Sequence, residues 1–173
     1  MMSVPATVSI EPMTRHDLVA VFEIDRRCSL TPWLLSAFAV ELSNRIATYF
    51  VARLGGQVVG FGGMQTTMDR VNLTTLGVEP AYRRRKIGER LLIALLEESI
   101  YRRATHVILE VRESNRAAQG LYKKYGFVAT AIRKGYYTDT GENAVVMWVN
   151  DLQGAAFQQQ LRLRGAELSP GSE

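Results

Sequence analysis

The sequence has a single cysteine and no long apolar run, and both shortages exclude classes of protein. Cys28 is the only cysteine among the 173 residues, so no disulfide can form within the chain, which fits a reducing cytosol. The two histidines, His16 and His106, and this one thiol have no spacing that suits zinc, and we expect no metal. The apolar run 91–96 is far too short to cross a bilayer, and the first residues lack a secretory pattern. We therefore expect a cytoplasmic protein without a membrane partner.

Neither sign of charge dominates the chain, and the mild basic excess limits its partners. Lys and Arg number 21 against 17 Asp and Glu, which gives a net charge of +4 at pH 7. That excess suits a phosphate-bearing ligand but is too small to predict nucleic-acid binding. With 47% hydrophobic and 22% charged residues, the composition is that of a globular domain rather than a disordered chain.

The length is that of one domain followed by a short tail. We place the domain at residues 1–150 and the tail at residues 151–173. Within the tail, residues 155–164 have the pattern of a short helix, and the Ser, Pro and Gly near the end predict loose structure. The tail either packs on the sheet or binds a partner, and both roles stay open at this point.

Helix and strand patterns alternate along the first 150 residues. Thr14 and Asp17 have the spacing of a capping box that opens a first helix, and Thr31-Pro32 predicts the start of a second helix through about Leu42. Gly55-Gly56 between two alternating runs predicts a β-hairpin. The last two strands are predicted at 127–132 and 144–149, with Tyr136 and Tyr137 in the loop between them. The expected fold class is α/β, a mixed sheet with helices on both faces.

The segment 76–90, LGVEPAYRRRKIGER, has the pattern of a phosphate site. A strand ends at Val78, and a proline turn, a basic run and Gly88 lead into a strongly amphipathic helix. The free amides and the positive dipole end of a helix N-terminus bind phosphate, and neighbouring Arg and Lys side chains add charge. A solvated basic turn before a surface helix explains the same residues about equally well.

Two further features carry chemistry, Glu110 and the segment 112–127. Glu110 ends the run VILEV, whose apolar residues on both faces indicate an interior strand. A carboxylate there costs free energy unless it is paired, hydrated or functional, and we favour function over a strand-end Glu in solvent. Asn115 is a good helix cap, and Tyr122 lies two helical turns beyond it on the same side. Taken alone, Tyr122 would be assigned to the core.

Three motifs together resemble the GNAT acetyltransferases, and within them the bacterial RimI type: LGVEPAYRRRKIG, LEVRESNRAAQGLYKKYGF and RKGYY. The resemblance extends from about Val8 to Val149. It implies acetyl-CoA as co-substrate and the GNAT fold, a central mixed sheet whose splayed middle strands admit the ligand. Enzymes of the RimI type acetylate the N-terminal alanine of a small-subunit ribosomal protein, which implies a protein N-terminus as the acceptor.

Carried over by position, the resemblance implies a role for each motif residue. Glu110 corresponds to the general base and Tyr122 to the general acid that protonates the departing CoA thiolate. A backbone N–H near Val78 would polarise the thioester carbonyl. The residues implied in binding acetyl-CoA are Leu76, Gly77, Val78, Arg83, Arg84, Arg85, Lys86, Ile87, Gly88, Glu89 and Asn115.

The sequence departs from the family pattern at three places. Lys86 stands where the phosphate turn usually has its first glycine, which admits backbone close to phosphate. A lysine fits there either with a helical φ and an outward side chain or as an added charge on the phosphates, and we expect the added charge. Thr31-Pro32-Trp33 replaces FPW, and Tyr136-Tyr137-Thr138 replaces YYP. Because both lie where the acceptor peptide would bind, Trp33, Tyr136 and Tyr137 are the candidate acceptor residues.

The acidity of the acceptor amine separates the possible substrates. At pH 7, deprotonating an N-terminal amine of pKa about 8 costs about 1.4 kcal/mol, and a lysine amine of pKa about 10.4 costs about 4.6 kcal/mol. A single glutamate base therefore favours N-terminal acetylation. The alternatives are acetylation of a small amine or a lysine, and a non-catalytic CoA- or RNA-binding module, of which direct nucleic-acid binding is not expected. Direct attack needs no covalent intermediate, so we expect Cys28 to be only a small buried hydrophobe.

Overall fold

The computed structural model describes residues 6–169, which form five α-helices and seven strands. Two short 3₁₀ turns, Arg15–Asp17 and Pro80–Tyr82, precede α1 and follow β4. The bounds are β1 Val8–Pro12, α1 Leu18–Cys28, α2 Leu35–Ser43, β2 Ala47–Leu54, β3 Gln57–Thr67, β4 Arg70–Val78, α3 Ile87–Tyr101, β5 His106–Arg112, α4 Arg116–Lys124, β6 Val128–Tyr137, β7 Glu142–Val149 and α5 Ala155–Glu167.

The described strands form one mixed sheet in the order β1-β2-β3-β4-β5-β7-β6. Every neighbouring pair is antiparallel except β4 and β5, which run parallel at the centre of the sheet. A parallel pair needs a crossover between its strands, and α3 supplies it. No helix among residues 6–169 is long and apolar enough to span a bilayer.

Helices cover both faces of the sheet, as the sequence predicts. On one face α1 and α2 bury Val21, Ile24 and Phe38 against the strands. On the other face α3, α4 and α5 share a larger core, to which Leu161 of α5 and Leu168, just after its end, contribute. Part of the predicted tail thus packs on the sheet as a helix that ends at Glu167 rather than near residue 164. The division at residue 150 stays a prediction, and the loose end predicted for the last residues lies largely outside the described ones.

Local signals in the sequence set several element boundaries correctly. The capping box forms: the Thr14 backbone N–H donates to the Asp17 carboxylate at 2.9 Å. Gly55 and Gly56 have φ values of +57° and +83°, the left-handed conformations that a tight hairpin needs. Each of these boundaries depends on contacts within four residues, which the sequence displays directly.

Two predicted boundaries are wrong. Helix α2 begins at Leu35, because the Trp33 backbone N–H donates to the Asp25 carboxylate at 2.7 Å and keeps the preceding loop out of the helix. Tyr136 and Tyr137 lie in β6 instead of a loop, since this edge strand continues until Tyr137 pairs with Glu142. Both errors come from contacts with residues that are distant in the sequence or across the sheet.

Candidate active site

The centre of the sheet opens where β4 and β5 stop pairing. Their parallel register runs only from Arg70↔His106 to Asn72↔Ile108, although β4 continues to Val78 and β5 to Arg112. On its other side β4 carries a bulge: Met64 pairs with Leu73 and Gly63 with Thr75, so Thr74 is an extra residue. A bulge bends its strand, and β4 turns away from β5 at this point. The predicted splay of the middle strands is therefore present.

A cavity of about 480 Å³ fills this opening. Its walls come from the end of α1 and the loop after it, from β4, from β5 and from α4. The lining residues are Asp25, Cys28, Ser29, Leu30, Thr31, Leu73, Thr74, Thr75, Leu76, Leu109, Glu110, Val111, Arg112, Ser114, Asn115, Ala118, Tyr122 and Tyr137. The cavity thus brings together Leu76, Glu110, Asn115 and Tyr122, which the sequence predicts for one site.

The β4 wall of the cavity presents main-chain polar groups. The Glu79 N–H donates to the Val59 carbonyl of β3 at 2.8 Å. Because N–H directions alternate along a strand, the backbone groups of Val78 and Leu76 point the other way, toward the opening. The Cys28 thiol donates to the Val78 carbonyl at 3.0 Å, which agrees with that direction. The same alternation directs the Val78 N–H toward the opening, and its action on the thioester carbonyl stays a prediction.

Gly77 is a position where only glycine fits. A Cβ there would lie 2.8 Å from the Phe61 ring of β3, closer than real side chains approach. Leu76 lines the cavity, whereas the Gly77 and Val78 side-chain positions are not among its walls. Gly77 therefore leaves room for the ring of Phe61, its partner on the neighbouring strand β3.

The turn before α3 has an unusual backbone. Arg84 and Lys86 have φ values of +62° and +59°, in the left-handed region that costs a non-glycine residue about 1 kcal/mol or more. The left-handed φ of Lys86 excludes the first way in which a lysine could fit this turn, with a right-handed helical φ and an outward side chain. The backbone amides of residues 86–89 have no hydrogen-bond acceptor among residues 6–169, and those of residues 84 and 85 belong to the turn just before them. These amides, at the positive end of α3, form a cradle for an anion.

Glu89 belongs to this turn through its backbone and not through its side chain. The carboxylate is buried and accepts hydrogen bonds from the Tyr125 hydroxyl at 2.6 Å and from the Lys124 ammonium at 2.5 Å. Burial by itself would raise the Glu89 pKa, but the bonds from Lys124 and Tyr125 outweigh it and lower the pKa. Only the N–H of Glu89 faces the anion cradle, so a side-chain contact with phosphate is not supported.

Glu110 and Tyr122 line the same cavity from different elements. Val107, Leu109 and Val111 are buried in the core with α3 and α4, so the alternation of β5 places Glu110 on the opposite face. Its carboxylate is 27% exposed and lies 3.5 Å from the Arg133 guanidinium, a weak pairing that leaves it accessible. Tyr122 reaches the cavity from α4, and burial raises the pKa of its hydroxyl to about 12, with a smaller contribution from Tyr137. Tyr122 therefore keeps its proton at neutral pH.

Asn115 caps α4, as the sequence predicts for a residue of this type just before a helix. Its side-chain oxygen accepts a hydrogen bond from the Ala118 N–H at 3.1 Å. The residue also lines the cavity. One side chain is thus placed both to start the helix and to contact a ligand, and the ligand contact stays a prediction.

The three candidate acceptor residues are placed differently. Tyr137 lines the cavity, and burial raises its pKa to about 12. Tyr136 lies beside it with the two rings edge to face, 5.0 Å apart, and is largely exposed. The Trp33 ring packs on Phe38 in the core below α2 at 5.3 Å. Only Tyr137 is therefore part of the cavity wall.

Sequence reasoning missed three residues of the wall. Asp25 is buried, and burial raises its pKa even though the Trp33 N–H bond opposes that change. Cys28, expected only as a small buried hydrophobe, is half-buried, lines the cavity and contacts the main chain of β4. Arg112 belongs to the LEVR motif, which does not mark it as a residue of the wall. Asp25 and Cys28 reach the cavity wall only because α1 packs on the sheet. No local sequence pattern predicts that packing.

No group of three or more His, Cys, Asp or Glu within the described part of the chain is arranged to hold a metal ion.

Comparisons with known proteins agree with this geometry. Residues 18–127 match the model of the Acetyltransferase (GNAT) family. The Escherichia coli [ribosomal protein bS18]-alanine N-acetyltransferase is 33% identical over 80% of this chain and 95% of its own. A Bacillus subtilis protein, provisionally assigned the same activity, is 39% identical over 82% of this chain and 94% of its own.

A solved structure has the same architecture. The crystal structure of the ribosomal-protein-S18-alanine N-acetyltransferase from Escherichia coli superimposes with a TM-score of 0.78 at 32% identity, covering 84% of this chain and 94% of that one. The splayed sheet, the family match and the extent of these similarities together show that the chain belongs to the GNAT family of acetyl-CoA-dependent N-acetyltransferases.

Proposed function

We propose that this protein transfers the acetyl group of acetyl-CoA to the N-terminal amine of a protein, with alanine as the first residue and a small-subunit ribosomal protein as the acceptor. The observation that carries the proposal is the cavity itself: the open backbone of β4 forms one wall, and Glu110 and Tyr122 lie on others. The named activity of the E. coli relative supports the choice of acceptor. We place the reaction in the cytoplasm, where ribosomal proteins are made.

The opening between β4 and β5 fits the extended arm of acetyl-CoA. The Leu76 and Val78 main chain can pair with the amides of that arm as a neighbouring strand would. The cradle at residues 84–89 suits the pyrophosphate, and Arg83, Arg84, Arg85 and Lys86 supply positive charge. When bound, acetyl-CoA supplies an activated acyl carbon.

Glu110 takes the proton of the acceptor amine in this proposal. Its accessible carboxylate faces the cavity and can act directly or through a water. The amine nitrogen then bonds to the acyl carbon while the carbon–sulfur bond breaks. Since the cost of removing the proton is about 1.4 kcal/mol for an N-terminal amine and about 4.6 kcal/mol for lysine, the single carboxylate supports the N-terminal acceptor.

Tyr122 stabilises the sulfur that leaves. With a pKa of about 12, its hydroxyl is a more reluctant proton donor than a thiol of pKa about 8.5. Complete transfer to a thiolate would be uphill by several kcal/mol, at about 1.4 kcal/mol per pKa unit. We therefore assign Tyr122 a hydrogen bond to the sulfur that strengthens as negative charge develops in the transition state, and the released thiolate takes its proton from water.

The test uses peptides that differ only in the first residue. The protein is incubated with acetyl-CoA and synthetic peptides starting with alanine, serine or leucine, and with a peptide whose N-terminus is blocked but which contains lysine. Mass spectrometry should find one added acetyl group on the alanine peptide and none on the blocked peptide. Rapid acetylation of a polyamine together with an unmodified alanine peptide would contradict the proposal.

A further inference from the structure

Arg112 is a shielded, charged residue that lies next to the proposed base, Glu110, on β5. It lies two residues after Glu110, on the same face of β5, and its side chain is only 13% exposed. Like Glu110 it lines the cavity, together with Thr31 and Tyr137. A guanidinium so well shielded from water needs partners, and it finds them in separate parts of the chain.

The partners of Arg112 belong to two separate segments of the chain. In the loop between α1 and α2, the Thr31 hydroxyl accepts a hydrogen bond from Nη2 at 3.3 Å. Between β6 and the start of β7, Nη2 donates to the Asp139 carboxylate at 2.9 Å, and Nη1 lies 3.3 Å from the Glu142 carboxylate and 3.2 Å from the Thr140 hydroxyl. The guanidinium also lies over the Tyr137 ring, 4.0 Å from its centroid.

These contacts join segments that the sequence separates widely. Thr31 lies in the loop between α1 and α2 and Asp139 in the turn between β6 and β7, and no sheet pairing connects these two segments. Their separation at the cavity is thus set by one side chain that reaches both. Because Asp139 and Glu142 neutralise the guanidinium, its contribution there is geometric more than electrostatic.

We propose that the Thr31–Arg112–Asp139 clasp is a positioning device that fixes the width of the acceptor mouth and the orientation of Tyr137. The inference rests on the proposed function, since it assigns this side of the cavity to the acceptor. The clasp does not contact the anion cradle at residues 84–89, which lies at the start of α3. It therefore governs how well the acceptor binds and leaves acetyl-CoA affinity unchanged.

Thr31 gives the cleanest test because it is exposed and its replacement leaves the core intact. Thr31→Val keeps the side-chain shape and removes the hydroxyl, whereas Thr31→Ser restores it. We expect Thr31→Val to raise the KM for the alanine peptide about two- to tenfold, the range that one hydrogen bond supplies. The kcat and the calorimetric Kd for acetyl-CoA stay at wild-type values, and Thr31→Ser recovers the wild-type KM.

Arg112→Lys tests the centre of the clasp. It keeps the charge but cannot hold Thr31 and Asp139 at once, so the peptide KM should rise by tenfold or more. Arg102→Lys is the matched control, since Arg102 makes a surface ion pair with Glu98 at 2.7 Å on α3, and it should leave the KM unchanged.

Wild-type turnover is measured first, so that two failures are distinguished. Absence of any acetylated peptide contradicts the proposed function and the clasp with it. Normal wild-type turnover with an unchanged KM in Thr31→Val contradicts the clasp alone. The same conclusion follows if Thr31→Ser behaves like Thr31→Val, because the hydroxyl then has no part in acceptor binding.

Discussion

The two halves of the β4–β5 pair differ in what their backbones bind. In the first half, residues 70–72 pair with 106–108, and Val71 and Val107 are fully buried. In the second half the strands diverge after the bulge at Thr74, and the cavity takes the place of the pairing. The same two strands thus provide stability at one end and unsatisfied main-chain groups at the other. One extra residue in β4 accompanies the change.

This contrast implies that substitutions in the two halves have different consequences. Changes in the paired half should lower the free energy of unfolding and leave the chemistry of folded molecules intact. Changes in the side chains that line the cavity in the open half should alter turnover or ligand affinity at nearly constant stability. The predictions that follow test this separation, from the largest expected effect to the smallest.

Replacing Glu110 in the open half should have the largest effect. Glu110→Gln keeps the size of the side chain but removes the proton acceptor, so kcat should fall about 10²- to 10⁴-fold. Steady-state assays with the alanine peptide measure the loss, and calorimetry should find an unchanged acetyl-CoA affinity. Full activity in this variant would show that another group is the base.

Replacing Val107 in the paired half should act on stability instead. Its side chain is fully buried, so Val107→Ala should lower the free energy of unfolding by about 2 kcal/mol, from lost burial and the cavity left behind. Urea denaturation monitored by circular dichroism measures this. At a temperature where the variant is folded, its kcat should equal the wild-type value, and a large loss of kcat would break the proposed separation.

A substitution at Gly77 tests how closely β4 packs against Phe61 of β3 in the open half. Gly77→Ala places a Cβ 2.8 Å from the Phe61 ring, an overpacking that should cost about 1–3 kcal/mol. A second variant, Gly77→Ala with Phe61→Leu, should recover part of the loss, because the smaller side chain leaves room. Wild-type stability in the single variant would mean that β4 can move away from β3 without cost.

The pH dependence of turnover should reflect the acceptor amine alone on the alkaline side. Between pH 7 and 8, kcat/KM for the alanine peptide should rise about fivefold as the amine, of pKa about 8, loses its proton. Tyr122, with a pKa of about 12, stays protonated until far higher pH. The rate should therefore stay level from pH 9 to pH 10.5, and a fall within that range would contradict the donor role of a protonated Tyr122.

Lys86 should show the smallest effect. Lys86→Gly relieves the left-handed strain at φ +59° but increases the freedom of the unfolded chain, so the net gain in stability should be about 0.5 kcal/mol. Loss of the charge should weaken acetyl-CoA binding by up to about fivefold. Thermal denaturation and calorimetry measure the two effects, and tighter binding by the glycine variant would show that Lys86 contributes no useful charge.

The sequence predicted the parts of the fold and site that depend on nearby residues. The Thr14–Asp17 capping box, the Gly55-Gly56 hairpin and the cap at Asn115 each depend on contacts within four positions. Strand alternation placed Glu110 opposite the core, and helical spacing placed Tyr122 on the side of Asn115. The family resemblance then supplied the ligand that we propose for this cavity.

The sequence did not predict features that depend on distant partners. The Asp25 carboxylate accepts a hydrogen bond from the Trp33 N–H, eight positions away, and holds the loop before α2. The Thr31-Pro32 pair, which resembles a helix start, therefore lies in that loop and not in the helix. Cys28 meets Val78 across 50 positions, and Arg112 meets Thr31 across 81. Such contacts follow from the packing of helices on the sheet, for which no short-range pattern is a guide.

The most direct test of the central claim is amide-resolved hydrogen exchange with and without acetyl-CoA. The account predicts that acetyl-CoA slows exchange at the amides of Leu76 and Val78 and at residues 84–89. Exchange at Gly55 and Gly56, in the hairpin far from the opening, should stay the same. Unchanged exchange along β4 and at the start of α3, at saturating acetyl-CoA, would contradict the claim that these main-chain groups hold the ligand.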